Sequence, residues 1–408
     1  MKRARLPMLA VLPITVIASV IAVPFVLGDH PLRWEAGSLV PHLVINGDES
    51  TSSDQAPGVG DGTGGSTSPT VELAKVDKEW KEGMPQWGVQ IYWEDNADSA
   101  EYVEKQARLQ ANYLVGLHAN SVSISFPFIT GGRDSTEIGA SDKTPSPQRM
   151  ADVLGIFHEA GLRTTVRPLL DEASLDVDNG DWRGNIQPTD RDAWFTSYEE
   201  FLTPYLEAAD SEQATTFVIG TELNSMEGDP RWDALVDNAE KLFIGEVAYD
   251  ANWDNYVRGP ITMPVNHLGV DAYFPVKVED DASVDTLVDG WNDWLDKKAT
   301  GPLPKITIAE AGIGAMNGAY RAPGDFYTKR AVNPEVQANW YTAVCQVVQE
   351  RQMSGVYWWS IYFDDNPNDK PDDKKQSRLD FAGRPLTEKA IKSCFTSDYA
   401  GPGTDTAS

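Results

Sequence analysis

The sequence predicts an α/β protein, a (β/α)8 TIM barrel preceded by a signal or anchor segment and a flexible linker. Three observations predict it. Across residues 79–397, apolar β-branched runs alternate with helical patterns, the order of βα units around a parallel sheet. The runs number eight, the count that closes such a sheet, and their span exceeds the roughly 250 residues typical of the fold. The runs that carry Glu222 and Glu310 are also unbroken rather than alternating, as strands buried on both faces are.

Taken in order, the chain opens on Lys2, Arg3 and Arg5, followed by an uncharged apolar stretch at residues 6–27. That length borders the roughly 20 apolar residues that cross a bilayer. Pro7, Pro13 and Pro24 weaken a helix there, and Val20-Ile21-Ala22 is a passable cleavage site, so residues 1–28 read as either a signal peptide or a membrane anchor. Either one sends the remainder out of the cytoplasm, to an extracellular or cell-surface location, and the anchor would add a single-span membrane attachment. Residues 29–78 read as a low-complexity linker, whose centre at 46–70 is Gly, Ser, Thr and Asp with almost nothing to bury. Its glycines neither follow a strand nor open a helix, which sets a phosphate loop aside.

The expected strands are WGVQIYW (87–93), NSVSISFPF (120–128), LRTTVRPLL (162–170), TTFVIGTEL (215–223), KLFIGEVAY (241–249), HLGVDAYFP (267–275), KITIAEAGI (305–313) and GVYWWSIYF (355–363). Between them, Ser146-Pro147, Asp229-Pro230 and Asn333-Pro334 each set a capping side chain before a proline at the first helical position. Val336, Trp340, Ala343, Val344, Val347 and Val348 recur at a helical period and form one face. Cys345 falls in that helix and Cys394 in the last one; neighbouring outer helices could bring the pair into a disulfide in an oxidising environment, or leave two small buried residues. Residues 398–408 read as a disordered tail.

Composition excludes several function classes. A formal net charge of -28 and a pI near 4.4 leave no basic surface for nucleic acid. The two cysteines and the histidines at 30, 42, 118, 158 and 267 lack metal-ligand spacing, so no metal or cofactor is expected. Asp176, Asp178 and Asp181 lack the Gly and Glu positions of a calcium loop, and no G-x-S-x-G elbow is present. Thirteen tryptophans are compatible with flat platforms for sugar rings as well as with core packing.

Glu222 and Glu310 carry the chemistry. Each stands near the carboxyl end of an apolar run, the fourth and the seventh, which places it at the mouth where barrel active sites sit. Cleaving a glycosidic bond takes one carboxylic acid to protonate the leaving oxygen and one carboxylate to attack the anomeric carbon or activate water. A separation of about 5–5.5 Å implies retention and a wider one inversion.

The pieces RPLLDEASLDVDNGDWRGNI (167–186), VIGTELNSM (218–226), GVDAYFP (269–275), IAEAGI (308–313) and GVYWW (355–359) resemble glycoside hydrolase family 113, retaining β-mannanases of the large clan A of barrel glycosidases. The likeness covers nearly all of residues 80–395. It implies Glu222 as general acid/base, Glu310 as nucleophile, and Tyr273 as the tyrosine that hydrogen-bonds and orients the nucleophile. It likewise implies that Asp181, Trp182 and Arg183 belong to a substrate-binding loop. Trp358 and Trp359 end the eighth run; adjacent strand residues face opposite ways, so one of them lines the cavity and the other packs against helices. For Trp253 and Asn224, subsite and structural roles both stand open. Clan members often carry Asn before the acid/base where this chain has Thr221, as in family 113. At Leu169-Leu170, family members tend to have a polar residue or histidine, and this departure leaves the sugar specificity open. The reaction implied is double displacement on β-1,4-linked mannan or manno-oligosaccharides. Another β-linked polysaccharide such as xylan or glucan, or a non-catalytic glycan-binding barrel at the cell surface, are the alternatives.

Overall fold

The computed structural model describes residues 71–403 apart from 97–98, 326–327, 329 and 372–377. The predicted signal or anchor segment and most of the predicted linker lie outside the described residues. Among those described, no helix is long and apolar enough to cross a membrane.

Eight parallel strands close on themselves: β1 (Gln86–Tyr92), β2 (Ser121–Thr130), β3 (Arg163–Leu170), β4 (Thr216–Thr221), β5 (Glu246–Asn252), β6 (His267–Asp271), β7 (Ile306–Ala311) and β8 (Gly355–Tyr362). Each strand pairs with its sequence neighbours, and β1 pairs with both β2 and β8, so no barrel strand presents an open edge. A short segment, Ile138–Gly139, pairs antiparallel with Ile129 and Thr130 and extends β2 past the rim. The outer layer is α1 (Ala100–Gly116), α2 (Pro147–Glu159), α3 (Arg191–Ser211), α4 (Arg231–Leu242), α5 (Trp253–Arg258), α6 (Val284–Leu295), α7 (Pro334–Glu350) and α8 (Pro385–Phe395).

The fifth strand sits later than the sequence suggests. Lys241 and Leu242 finish α4, Ile244 is 92% exposed at the turn, and pairing starts at Glu246. The apolar run KLFIGEVAY therefore straddles a helix end and a strand start, which periodicity cannot separate over so few residues. At α2, Ser146 accepts from the Arg149 amide, as its motif predicts. At α4 the helix begins one residue later than its motif implies, with Asp229 Oδ1 accepting from the Arg231 amide. Asn333 precedes α7 without a capping hydrogen bond, and its side-chain Nδ2 donates to Asn317 Oδ1. The predicted face of α7 is buried throughout, and Cys345 and Cys394 are joined by a disulfide between α7 and α8, with Cα atoms 5.9 Å apart.

Both predicted boundaries of the barrel need correction. Leu73 and Val76, assigned to the linker, pack against the core, and the Val76 amide donates to Ala160. Tyr399, assigned to the disordered tail, packs against Trp87 and donates to the Met353 carbonyl, while Gly403 donates to Gly83. In each case one or two apolar side chains suffice to tie down a segment whose composition is otherwise polar.

Inside the barrel, long polar side chains reach across from strand to strand. Gln90 of β1 donates to the Ala309 carbonyl on β7, and Arg163 of β3 reaches Glu246 on β5 and Tyr357 on β8. A charge inside such a core requires a partner, so the interior sets the frame for the carboxylates at the rim.

Candidate active site

Glu222 follows β4 directly and adopts a left-handed backbone, φ +52°. A non-glycine residue there is strained by about 1–3 kcal/mol, and such strain gathers at functional sites. The surroundings hold it: its amide donates to Asp250 O at 2.8 Å on the next strand. Its carboxylate accepts from Asn252 Nδ2 at 2.7 Å and from Arg183 Nη1 at 3.1 Å.

Glu310 lies within β7, and its Oε2 accepts from the Tyr273 hydroxyl at 2.7 Å. Its Oε1 is 2.6 Å from Arg167 Nη1. Arg167, on β3, divides its guanidinium among three carboxylates, with Nε 2.7 Å from Asp250 Oδ2 and Nη2 2.8 Å from Asp271 Oδ2. Glu222 and Glu310 are both 1% exposed and both bear on this network.

Burial decides the electrostatics. It pushes the Glu222 carboxyl up to about 8; Arg183 opposes this, and the charges of Glu310 and Glu172 add to it. Glu172, 3.6 Å from Arg183 Nη2, is pushed up to about 7 by burial, again against Arg183. Burial raises Asp271 well above the usual carboxylate range and raises Asp250 as well, in both cases against the opposing charge of Arg167. Burial alone would lower Arg167, but Asp271, Glu310 and Asp250 hold its guanidinium firmly charged. Burial and the neighbouring Glu310 keep the Tyr273 hydroxyl protonated and donating.

The structure brings Glu222, Glu310, Tyr273 and Arg183 together. Arg183, predicted as a substrate-binding residue, is 1% exposed and points inward to Glu222 and Glu172, with Nε donating to the Leu170 carbonyl. Trp182 beside it is half-buried, and Asp181 turns to Arg133 at 3.7 Å. The choice between the two tryptophans of β8 is resolved. Trp358 stacks on Tyr341 of α7 with ring centres 4.4 Å apart, while Trp359 lies toward the interior, 6.0 Å from Tyr92 and 5.9 Å from the Arg167 guanidinium. Trp358 thus packs against the helices, and Trp359 faces the barrel interior beside Arg167. Trp253 lies edge-on to Phe274 and Trp294, within the aromatic packing outside the sheet. Asn224 is half-buried just past Glu222, and its Oδ1 finds no partner among the described residues.

Arg167, Asp250, Asn252, Asp271 and Glu172 escaped the sequence reading. A signal for most of them existed: a charged residue inside a strand buried on both faces, as in TTVRPLL, VAYDAN and LGVDAY, must meet a counter-charge across the barrel.

The family model of Glycoside Hydrolase Family 113 matches residues 91–380. Among solved structures, a GH113 β-1,4-mannanase superposes with a TM-score of 0.63 at 20% identity, covering 78% of this chain and 100% of that one. The GH113 β-mannanase AaManA from Alicyclobacillus acidocaldarius, in complex with ManMIm, gives 0.61 at 18% identity over 80% of this chain and 99% of that one. A search of curated proteins returns no match. At these identities the likeness to solved structures speaks for the barrel alone, whereas the family match covers most of the chain. The chain belongs to Glycoside Hydrolase Family 113 and is a glycoside hydrolase.

Proposed function

We propose that the protein is a retaining β-mannanase, cleaving β-1,4-linked mannan or manno-oligosaccharides by double displacement. The observation that carries this reading is the unequal pairing of two buried carboxylates at one barrel mouth. Glu222 is raised to about 8 and so holds a proton at neutral pH, while Glu310 accepts from Tyr273 and faces Arg167. Both likenesses named above are to β-mannanases, which favours mannan over other β-linked polymers.

In the first step Glu310 attacks the anomeric carbon as Glu222 gives its proton to the glycosidic oxygen; the C–O bond breaks and the aglycone leaves as an alcohol. Glu310 is then an ester and Glu222 a carboxylate, whose charge Arg183 and Asn252 stabilise. In the second step Glu222 takes a proton from water, the water oxygen attacks the anomeric carbon, and the ester bond breaks to restore Glu310. Trp359 beside Arg167, with the half-buried Trp182 and Asn224, supplies apolar and hydrogen-bonding groups for sugar rings.

Defined manno-, xylo- and cello-oligosaccharides, with product anomers followed by NMR, test the reading. Manno-oligosaccharides should be turned over best, with the β-anomer formed first. An initial α-anomer would overturn double displacement, preferred turnover of another series would overturn the polymer assignment, and binding without hydrolysis of any would leave a glycan-binding barrel.

A further inference from the structure

Below the carboxylate network, the amino-terminal half of the barrel is not filled. Barrels of this kind are normally packed inside by tiers of bulky branched side chains. Here the residues at that level include Ser123 on β2, Ala248 on β5, Gly269 on β6 and Ala309 on β7, which leave a cavity of about 340 Å³. That volume falls within the roughly 300–1,000 Å³ range of small-molecule sites. His267 and Lys305, both exposed, line it where it meets solvent.

The walls alternate polar and apolar surface. Arg163 crosses the space, its Nη2 2.6 Å from both Thr216 Oγ1 and Glu246 Oε2 and its Nη1 donating to Thr165 Oγ1 and the Tyr357 hydroxyl. Its charge is matched by Glu246, and the Asp250 carboxylate at the inner end is bound by Arg167, which also holds Asp271 and Glu310. Both guanidinium groups are thus already engaged by carboxylates. Two buried polar atoms of the wall find no partner among the described residues: Ser123 Oγ and Arg163 Nε, on side chains 1% and 5% exposed. Buried polar groups are rarely left so, and an orphaned pair beside a cavity marks a place where something else completes the hydrogen bonding. Val218, Ala248, Ala309 and the Tyr357 ring provide apolar patches between the hydroxyls, and Trp80 lies over the Arg163 guanidinium at 4.8 Å.

We propose that this chamber is a second binding site, at the opposite end of the barrel from Glu222 and Glu310, for a small neutral polyhydroxy molecule of monosaccharide size. Such a molecule carries hydroxyls for Ser123, Arg163 and Tyr357 and CH faces for the apolar patches, and it brings no charge to disturb the ion pairs of Arg163 and Arg167. The proposal is independent of the mannanase assignment.

Calorimetric titration of the full chain with D-mannose, and with glycerol as a smaller probe, tests it. Mannose should bind with a dissociation constant of millimolar order, and binding should persist in Glu310→Ala, which removes a side chain outside the chamber wall. Ala248→Leu, which fills the chamber, should weaken mannose at least tenfold. Ser123→Ala, too small a change to threaten folding, should weaken it several-fold, and it carries the test if Ala248→Leu does not fold. Absence of a mannose heat in the wild type, its loss in Glu310→Ala, or its indifference to the chamber variants would overturn the proposal and leave a water-filled core. A chain that binds mannose this way yet hydrolyses no oligosaccharide would refute the assigned reaction and leave the chamber standing.

Discussion

Glu222 and Glu310 share a burial and a rim, and each faces an arginine, yet the two settings are built differently. Glu310 stands inside a strand, and its arginine, Arg167, comes from another strand and is shared with Asp250 and Asp271. Glu222 stands just past a strand in a left-handed turn, and its arginine, Arg183, comes from the loop after β3 and is shared with Glu172 alone. The proposed nucleophile is thus held by strand-borne partners, and the proposed proton donor by a strained turn and a loop arginine. The contrast is sharpest where the chemistry is removed outright. Glu310→Ala should lower kcat/KM on the order of ten-thousand-fold, and Glu222→Ala by about 100- to 10,000-fold. Azide should restore turnover to both, because a small anion fits either vacated space. Net retention in the azide product of Glu222→Ala and net inversion in that of Glu310→Ala would confirm which side of the sugar each residue serves. The same product stereochemistry from both would end the distinction.

The second largest effect is on stability. Arg167→Met leaves three fully buried carboxylates facing one another, and removing one partner of a buried pair costs about 3–5 kcal/mol. Arg183→Met strands two carboxylates, Glu222 and Glu172, where Arg167→Met strands three, so the loss should be smaller while activity still falls. Urea unfolding of the two variants compares them directly, and equal destabilisation would erase the claim that one arginine belongs to the scaffold and the other to the site.

These partners also mark how far the sequence could be read. Eight strand-like runs alternating with helical patterns gave the barrel, since their number and spacing suffice, and the two rim glutamates followed from position alone. The fifth strand slipped because Leu242 and Phe243 serve a helix end while looking like strand. Arg183 was visible as part of a loop motif but read as a hand for substrate; that it turns inward to Glu222 depends on a loop path with no periodicity to reveal it. Asn252 and Glu172 carry no local signal, because their roles arise from neighbours 30 and 11 residues away that only the closed barrel and its loop bring near.

Tyr273 tests the strand-built side more gently. Its hydroxyl supplies one hydrogen bond to Glu310, and a bond to a charged group contributes about 1.5–3 kcal/mol. Tyr273→Phe should therefore lower kcat/KM roughly ten- to hundredfold while retaining the fold and leaving the alkaline limb of the pH profile in place. A shift of that limb would mean that Tyr273 acts through Glu222 instead.

The smallest expected effect addresses the loop-built side. On the proposed mechanism the general acid must be protonated, so activity should fall as pH rises through about 8, the value to which Glu222 is raised. Glu172 contributes to that rise in two ways: its own charge repels the Glu222 carboxylate, and it draws on Arg183, which would otherwise serve Glu222 alone. Glu172→Gln removes the charge and frees the arginine. Both changes favour ionised Glu222, so its proton is held less tightly and the alkaline limb of kcat/KM should move to lower pH, with the acid limb unmoved. Arg183→Met works in the opposite sense and should carry the limb to higher pH in whatever activity remains. An alkaline limb indifferent to both substitutions would show that the proton lost there is not the one on Glu222, and the loop-built side of the comparison would lose its basis.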